Sequence, residues 1–257
     1  MVTDLGNHFI ELNEWGDKVA LVIHSGSRHL GKQIADYYQN RAYDELMEKF
    51  QERKQLIEKL KQEGREEEIE ALEKSLPKES IAKDLAYLEG DAFREYLHDM
   101  KIAQYFALVN RKAMIQTIAE HMGWRIIDHF TTIHNYIDME HMILRKGAIS
   151  AQKDERVIIP MNMRDGSIIA IGKGNPDWNY SAPHGAGRLM SRRQAKKKLS
   201  MKEFKKEMKH VWSTSVIPGT LDESPMAYKP MHEILKHIKD TVTIERMIRP
   251  LYNFKAP

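Results

Sequence analysis

The chain has 257 residues, 42% of them hydrophobic, enough to bury a substantial core as one large domain or two small ones. It has no cysteine, which excludes disulfide frameworks, zinc–thiolate centres and thiol nucleophiles built from this chain alone. Lys and Arg exceed Asp and Glu by only 40 to 37, which allows a basic patch for a phosphate backbone without demanding one. The opening residues lack a basic stretch before an apolar run, and no window approaches the roughly 18 apolar residues a membrane span needs. The expectation is a cytoplasmic protein without membrane attachment.

Taken in chain order, FIEL and KVALVIHSG are short β-rich runs broken by Gly and Asn, and read as strands carrying loops. From about Gly31 to His121 charged stretches carry apolar residues at helical spacing, among them Phe50, Ile57, Leu60, Ile69, Leu72 and Leu76. Gly64 interrupts this region and Leu76-Pro77 ends a segment, which predicts two antiparallel charged helices followed by further helices from Tyr87 to Ile118. Strand-like runs return from Ile143 to Ile171, where RVIIPM and SIIAIG flank the turn Arg164-Asp165-Gly166. A Gly-, Pro- and Asn-rich segment from Gly172 to Gly187 leads into a basic helix from about Ser191 to His210. The tail from Tyr228 offers one more helix and a last short strand. The fold class is therefore α+β.

The most specific segment is SAPHGAGRLMSRR, Ser181 to Arg193, where a histidine precedes two glycines and an arginine at a predicted helix entrance. Glycines let backbone approach an anion, a helix N-terminus offers unpaired N–H groups, and Arg188 can form a bidentate contact with phosphate oxygens. His184 would then face the phosphate, where a neutral imidazole can attack a nucleotide and form a phosphoramidate. An ordinary reading, a glycine-rich turn whose histidine only packs or caps, fits this motif taken alone. A second group is His8 in GNHF, His24 in IHSGSR and His134 in TIHNY. Three imidazoles from separate segments suit a divalent transition ion with open positions. Each histidine by itself, like the remaining ones, also fits a plain hydrogen-bonded role.

Taken together, GNHFIEL, HSGSR, the pair His134-Asn135, RKGA at Arg145, GKGNP, SAPHGAGR with MSR, and the closing Lys255 resemble the RtcB family of RNA ligases, in the same order and across nearly the whole chain. NMRDGS, Asn162 to Ser167, stands where many members carry a GSMGT-like turn, and this version is similar to a bacterial subgroup. The resemblance implies an enzyme that joins an RNA 3′-phosphate or 2′,3′-cyclic phosphate end to a 5′-hydroxyl end, in RNA repair or tRNA splicing. It implies GTP and two Mn²⁺ ions as cofactors. His184 would be the nucleophile that takes up GMP, and His8, His24 and His134 would be metal ligands. Asn7, Glu11, Asn135, Ser167, Tyr228 and Lys255 would lie near the nucleotide, and Gly185, Ala186, Gly187 and Arg188 would cradle phosphate. Asn110 and Arg111 are candidates for contacts to RNA ends. Related ligases can be assisted by archease, a possible protein partner.

Family members complete a two-metal site with an aspartate and a cysteine upstream of GNHF. This chain reads DLGNHF there, has no cysteine, and is expected to be the C-terminal portion (1–257) of one such domain, with a helical insertion at about 38–100. Neutral imidazoles without that bridging anion are expected to hold divalent ions more weakly. Two other activities fit the same residues. One is a noncatalytic protein that binds nucleotide or RNA ends through Arg188, Arg192 and Arg193, and the other is a metal-dependent phosphoesterase acting on cyclic phosphate.

Overall fold

The computed structural model describes residues 8–69, 71–72 and 81–255. The chain divides into two compact units: one spans Gly26–Ala107, and the other takes the described residues up to Ser25 together with those from Leu108 onward.

The first unit is helical. Helix α1, Arg28–Gln62, runs 35 residues. It stops where the sequence places a breaker: Gly64 adopts φ +70° and Arg65 donates its backbone N–H to the Leu60 carbonyl at 2.9 Å. The second charged helix expected after it is described only at residues 69, 71 and 72, which are helical, and its predicted end at Leu76-Pro77 lies outside the described residues. Helix α2, Gly90–Met122, begins in this unit and continues into the other. Within the first unit, the α1 and α2 segments meet where the Tyr38 ring lies tilted against Tyr96 and its hydroxyl donates to Asp99 at 2.8 Å, while Arg41 pairs with Glu95. Tyr38, Ala42 and Leu46 on α1 and Ala92 and Ala103 on α2 are buried.

The second unit carries both sheets. Strands β1 (Phe9–Trp15) and β2 (Lys18–His24) form a hairpin around Gly16 at φ +62°. Strand β3 is His134–Asp138, β4 is Ile143–Ser150, β5 is Arg156–Asn162, β6 is Gly166–Gly172, β7 is Ser181–Pro183 and β8 is Val242–Lys255. They build a five-stranded antiparallel sheet in the order β2-β1-β8-β6-β5 and a three-stranded sheet in the order β3-β4-β7. The tail was expected to end in a short strand. Instead β8 is 14 residues long and central, because its N-terminal half pairs with β6 and its C-terminal half with β1. Ile149 and Ala182 of the small sheet join Val157, Ile159, Ile168 and Ala170 of the large one in a fully buried core.

The predicted basic helix is two helices, α3 (Arg192–Lys198) and α4 (Met201–Glu207). Leu199 turns extended, and Ser200 restarts the helix by accepting the Glu203 N–H with its side chain. Phe204 and Met208 lie buried with Met163, Val211 and Leu221 in a second core. Helix α5, Met231–His237, precedes β8. Mixed helices and antiparallel sheets make the fold α+β, as the sequence suggests.

Candidate active site

Three of the four histidines picked out by sequence converge at strand ends within the second unit. His24 closes β2, His134 opens β3, and His184 follows β7. Their rings form a short column: centroids lie 5.1 Å apart between His24 and His134, and 4.9 Å apart between His134 and His184. Phe9 stacks on His24 with centroids 5.1 Å apart, and the Lys255 ammonium sits 5.5 Å from the Phe9 ring. Burial, reinforced by the charges that His134, His8, Lys255 and His184 would bring, pushes the His24 imidazole down to about 3, so it is neutral at ordinary pH. His8 immediately precedes β1, whose Phe9 stacks on His24.

A backbone hub orients His184. Gly147 on β4 accepts a hydrogen bond from His184 Nδ1 at 2.7 Å and donates its own N–H to Asn135 Oδ1 at 2.7 Å. A carbonyl can only accept, so Nδ1 carries a proton, and in the neutral ring the lone pair is then on Nε2. Gly147 (φ +70°) and Asn135 (φ +55°) both take left-handed backbone beside the bulge that shifts the β3–β4 register between His134 and Tyr136. Arg145 fixes the same sheet from below. Its buried guanidinium donates to Ser181 Oγ, Tyr136 Oη and Asp138 Oδ2 at 2.8–3.1 Å, tying β3, β4 and β7 together.

The loop after His184 packs on β5. Ala186 donates its N–H to the Pro160 carbonyl at 3.1 Å, and a Cβ on Gly185 would meet that carbonyl at 3.0 Å, so any larger residue there would press the loop away from β5 by a few tenths of an ångström. The expected helix entrance is not adjacent: α3 begins at Arg192, with Ser191 and Gln194 forming a reciprocal capping box. Arg188 donates to Met190 O, Tyr228 Oη and Asp222 O, so its planar fork is spent on protein acceptors.

A second polar cluster continues from Lys255. Glu223 ends the 3₁₀ segment Pro218–Glu223 and is 3% exposed. It accepts from Lys255 Nζ and Tyr228 Oη at 2.5 Å, pairs with Arg192, and lies 3.5 Å from Arg188. Burial alone would raise its carboxyl, but Lys255 and these donors hold it at about 2. Burial and the adjoining Glu223 charge push the Tyr228 phenol well up. On β1, the period of two puts Phe9, Glu11 and Asn13 on one buried face, and register brings Asn253 opposite Glu11, to which it donates at 2.6 Å. Burial raises the Glu11 carboxyl to about 7. Sequence reasoning missed Glu223, Asn13 and Asn253. Ser167 lies on β6 opposite Ile248 and Pro160, its hydroxyl buried without a hydrogen-bond partner among the described residues. Asn7 lies outside the described residues. Asn110 and Arg111 reach Ser25 at the end of β2, and Arg111 also holds Thr131.

A cavity of about 1020 Å³ opens from the histidine column along β2, with Arg111 and Arg156 in its walls. The His24 and His134 Nε2 atoms are 3.4 Å apart. Two nitrogens bound at about 2.1 Å to one tetrahedral ion would be separated by about 3.4 Å. Two imidazoles at that spacing, each offering an unprotonated nitrogen, fit two ligands of a divalent transition ion, although among the described residues no three side chains close a preformed cage.

Comparison with known proteins agrees with the ordered motifs. The family described as tRNA-splicing ligase RtcB matches residues 4–256. The RNA-splicing ligase RtcB of Escherichia coli strain K12 is 31% identical over 98% of this chain and 60% of its own length. RNA-splicing ligase RtcB1 of a second Escherichia coli strain is 32% identical over the same shares, and the tRNA-splicing ligase RtcB of Aeropyrum pernix is 26% identical over 95% of this chain and 56% of its own. The chain thus spans about 60% of the length of the Escherichia coli relatives it matches. The chain belongs to the RtcB family.

Proposed function

We propose that this chain carries the nucleophile and nucleotide pocket of a GTP- and manganese-dependent RNA ligase. Support comes from family membership and, above all, from one hydrogen bond: His184 Nδ1–H to Gly147 O reserves Nε2 for attack, on a ring stacked against His134 of the His24–His134 pair. In this reading His184 Nε2 attacks the α-phosphorus of GTP, an N–P bond forms, the bond to the β-phosphate bridging oxygen breaks, and pyrophosphate leaves. An RNA 3′-phosphate oxygen then takes the GMP from Nε2. The 5′-hydroxyl oxygen next attacks the activated 3′-phosphorus, losing its proton as GMP departs and the strand is sealed.

His8, His24 and His134 would hold Mn²⁺, which when bound neutralises phosphoryl charge and favours in-line transfer. Glu11, Asn135, Ser167, Tyr228 and Lys255, with Asn7, would contact the nucleotide, and the Gly185–Gly187 backbone would approach its phosphate. Arg188 serves by holding Tyr228 and the Asp222 carbonyl in place, since its nitrogens already have acceptors. The helical unit Gly26–Ala107 is read as an insertion between β2 and the rest of the catalytic portion.

The test is ligation of RNA bearing a 3′-phosphate or 2′,3′-cyclic phosphate to RNA bearing a 5′-hydroxyl, with Mn²⁺, with and without GTP. The proposal expects GTP-dependent product that His184→Ala abolishes. Opening of the cyclic phosphate without GTP and without sealing would assign a phosphoesterase instead.

A further inference from the structure

The charge of this chain is unevenly placed. Residues 192–209 hold nine Lys and Arg against Glu203 and Glu207, a formal +7, while the whole chain carries +3, which leaves −4 for everything else. The structure sorts these cations. Arg192 turns inward to Asp222 and Glu223, and Lys196 reaches Asp222 at 3.4 Å. Lys197, Lys198, Lys202, Lys205, Lys206 and Lys209 are exposed, and no ion pair neutralises them among the described residues. On α4 the sorting follows helical period: Phe204 is buried in the second core with Met208 just past the helix end, Lys202, Lys205 and Lys206 at i, i+3 and i+4 face the opposite side, and Lys209 follows exposed in the turn after the helix. Phe204 anchors against Leu221 of the same 3₁₀ segment that ends in Glu223, so this basic face is mounted on the element that carries the Lys255–Glu223–Tyr228 cluster.

We infer that the solvent face of α3 and α4 is a sequence-independent docking surface for the phosphate backbone of an RNA strand, separate from the residues proposed to act on its ends. The inference rests on the proposed RNA-ligase reading for its choice of polyanion. The physical warrant is charge complementarity: unpaired lysines spaced along a rigid face release counterions from a phosphate backbone without reading bases.

The test neutralises Lys202, Lys205, Lys206 and Lys209 together to Gln in the full chain. It measures binding of a single-stranded RNA across a salt series, alongside a control with Lys49, Lys54, Lys59 and Lys61→Gln on α1. Four lost contacts at about 0.7 each should lower the slope of log affinity against log salt by about 3. The control should leave that slope unchanged, and labelling of His184 by GTP should persist in the α4 variant. An unchanged slope in the α4 variant, with folding verified by circular dichroism, overturns the inference. So does binding to anionic phospholipid vesicles that the variant loses while RNA binding stays intact. Absence of GTP labelling in the wild type would sink the ligase reading alone, because the salt slope is measured independently of it.

Discussion

Replacing Glu223 with Gln should be among the most damaging conservative changes in the second unit. The carboxylate is 3% exposed and Lys255 is 5% exposed, so Gln would leave a buried ammonium facing a neutral amide. Removing one partner of a buried ion pair costs about 3–5 kcal/mol. For a unit of this size each kcal/mol lowers the melting temperature by about 2–4 °C, which predicts a fall of about 6–20 °C. The sign with pH follows from the depressed carboxyl, about 2 in the folded protein against 4.5 ordinarily. Its contribution is complete above 4.5 and is lost as pH falls towards 2, so the gap between wild type and Glu223→Gln should be constant near neutrality and close in acid. Adding Lys255→Met to Glu223→Gln should recover part of the loss, since the double change removes the buried ammonium together with the carboxylate that faced it. Urea unfolding followed by circular dichroism reads all four members of this cycle. A cost below about 1 kcal/mol, the range of exposed pairs, would refute the buried-hub account.

Arg145→Met should cost about 1–3 kcal/mol, because it removes the donor that links Ser181 and Tyr136 to Asp138, while Glu140 and His141 still donate to that carboxylate; hydrogen exchange should show lost protection in β4 and β7. Acid should destabilise the protein through His24, whose imidazole sits at about 3 when folded against 6.5 ordinarily. The contribution is present above 6.5 and falls away between 6.5 and 3; for a partly exposed ring about 1–2 kcal/mol is expected, and His24→Gln should flatten that part of the stability profile. At neutral pH the ¹⁵N shifts of His184 should report the Nδ1–H tautomer, and an Nε2–H tautomer would contradict the Gly147 hub.

Local signals carried most of the fold. The Gly16 hairpin, the Gly64 helix end and the Arg164-Asp165-Gly166 turn were legible because each is decided by residues adjacent in the chain. The tail departs from the short strand its sequence suggests because β8 owes its length to two partners, β1 and β6, that lie far from it in sequence. The basic segment reads as one helix because its cations and apolar positions are uninterrupted, whereas Ser200 breaks it by capping. In the site, histidines and glycines advertise themselves by type and spacing. Glu11 was picked out only through the family motif, and Asn13 and Asn253 not at all, since alternation in FIELNEW shows that two faces differ without saying which one is buried. Glu223 was invisible for the same reason: its role depends on Lys255 arriving from 32 residues away. Arg188 illustrates the converse, a residue whose type suggested phosphate and whose neighbours Asp222 and Tyr228 occupy it.

The central claim is that His184 is a nucleophile towards GTP. The most direct measurement incubates the purified chain with Mn²⁺ and α-labelled GTP and looks for acid-labile, base-stable label on the protein, with His184→Ala alongside. The account predicts label on the wild type and none on the variant, mapped to His184 by peptide analysis. Label that persists in His184→Ala, or a folded wild type that binds GTP and acquires no label, would contradict it.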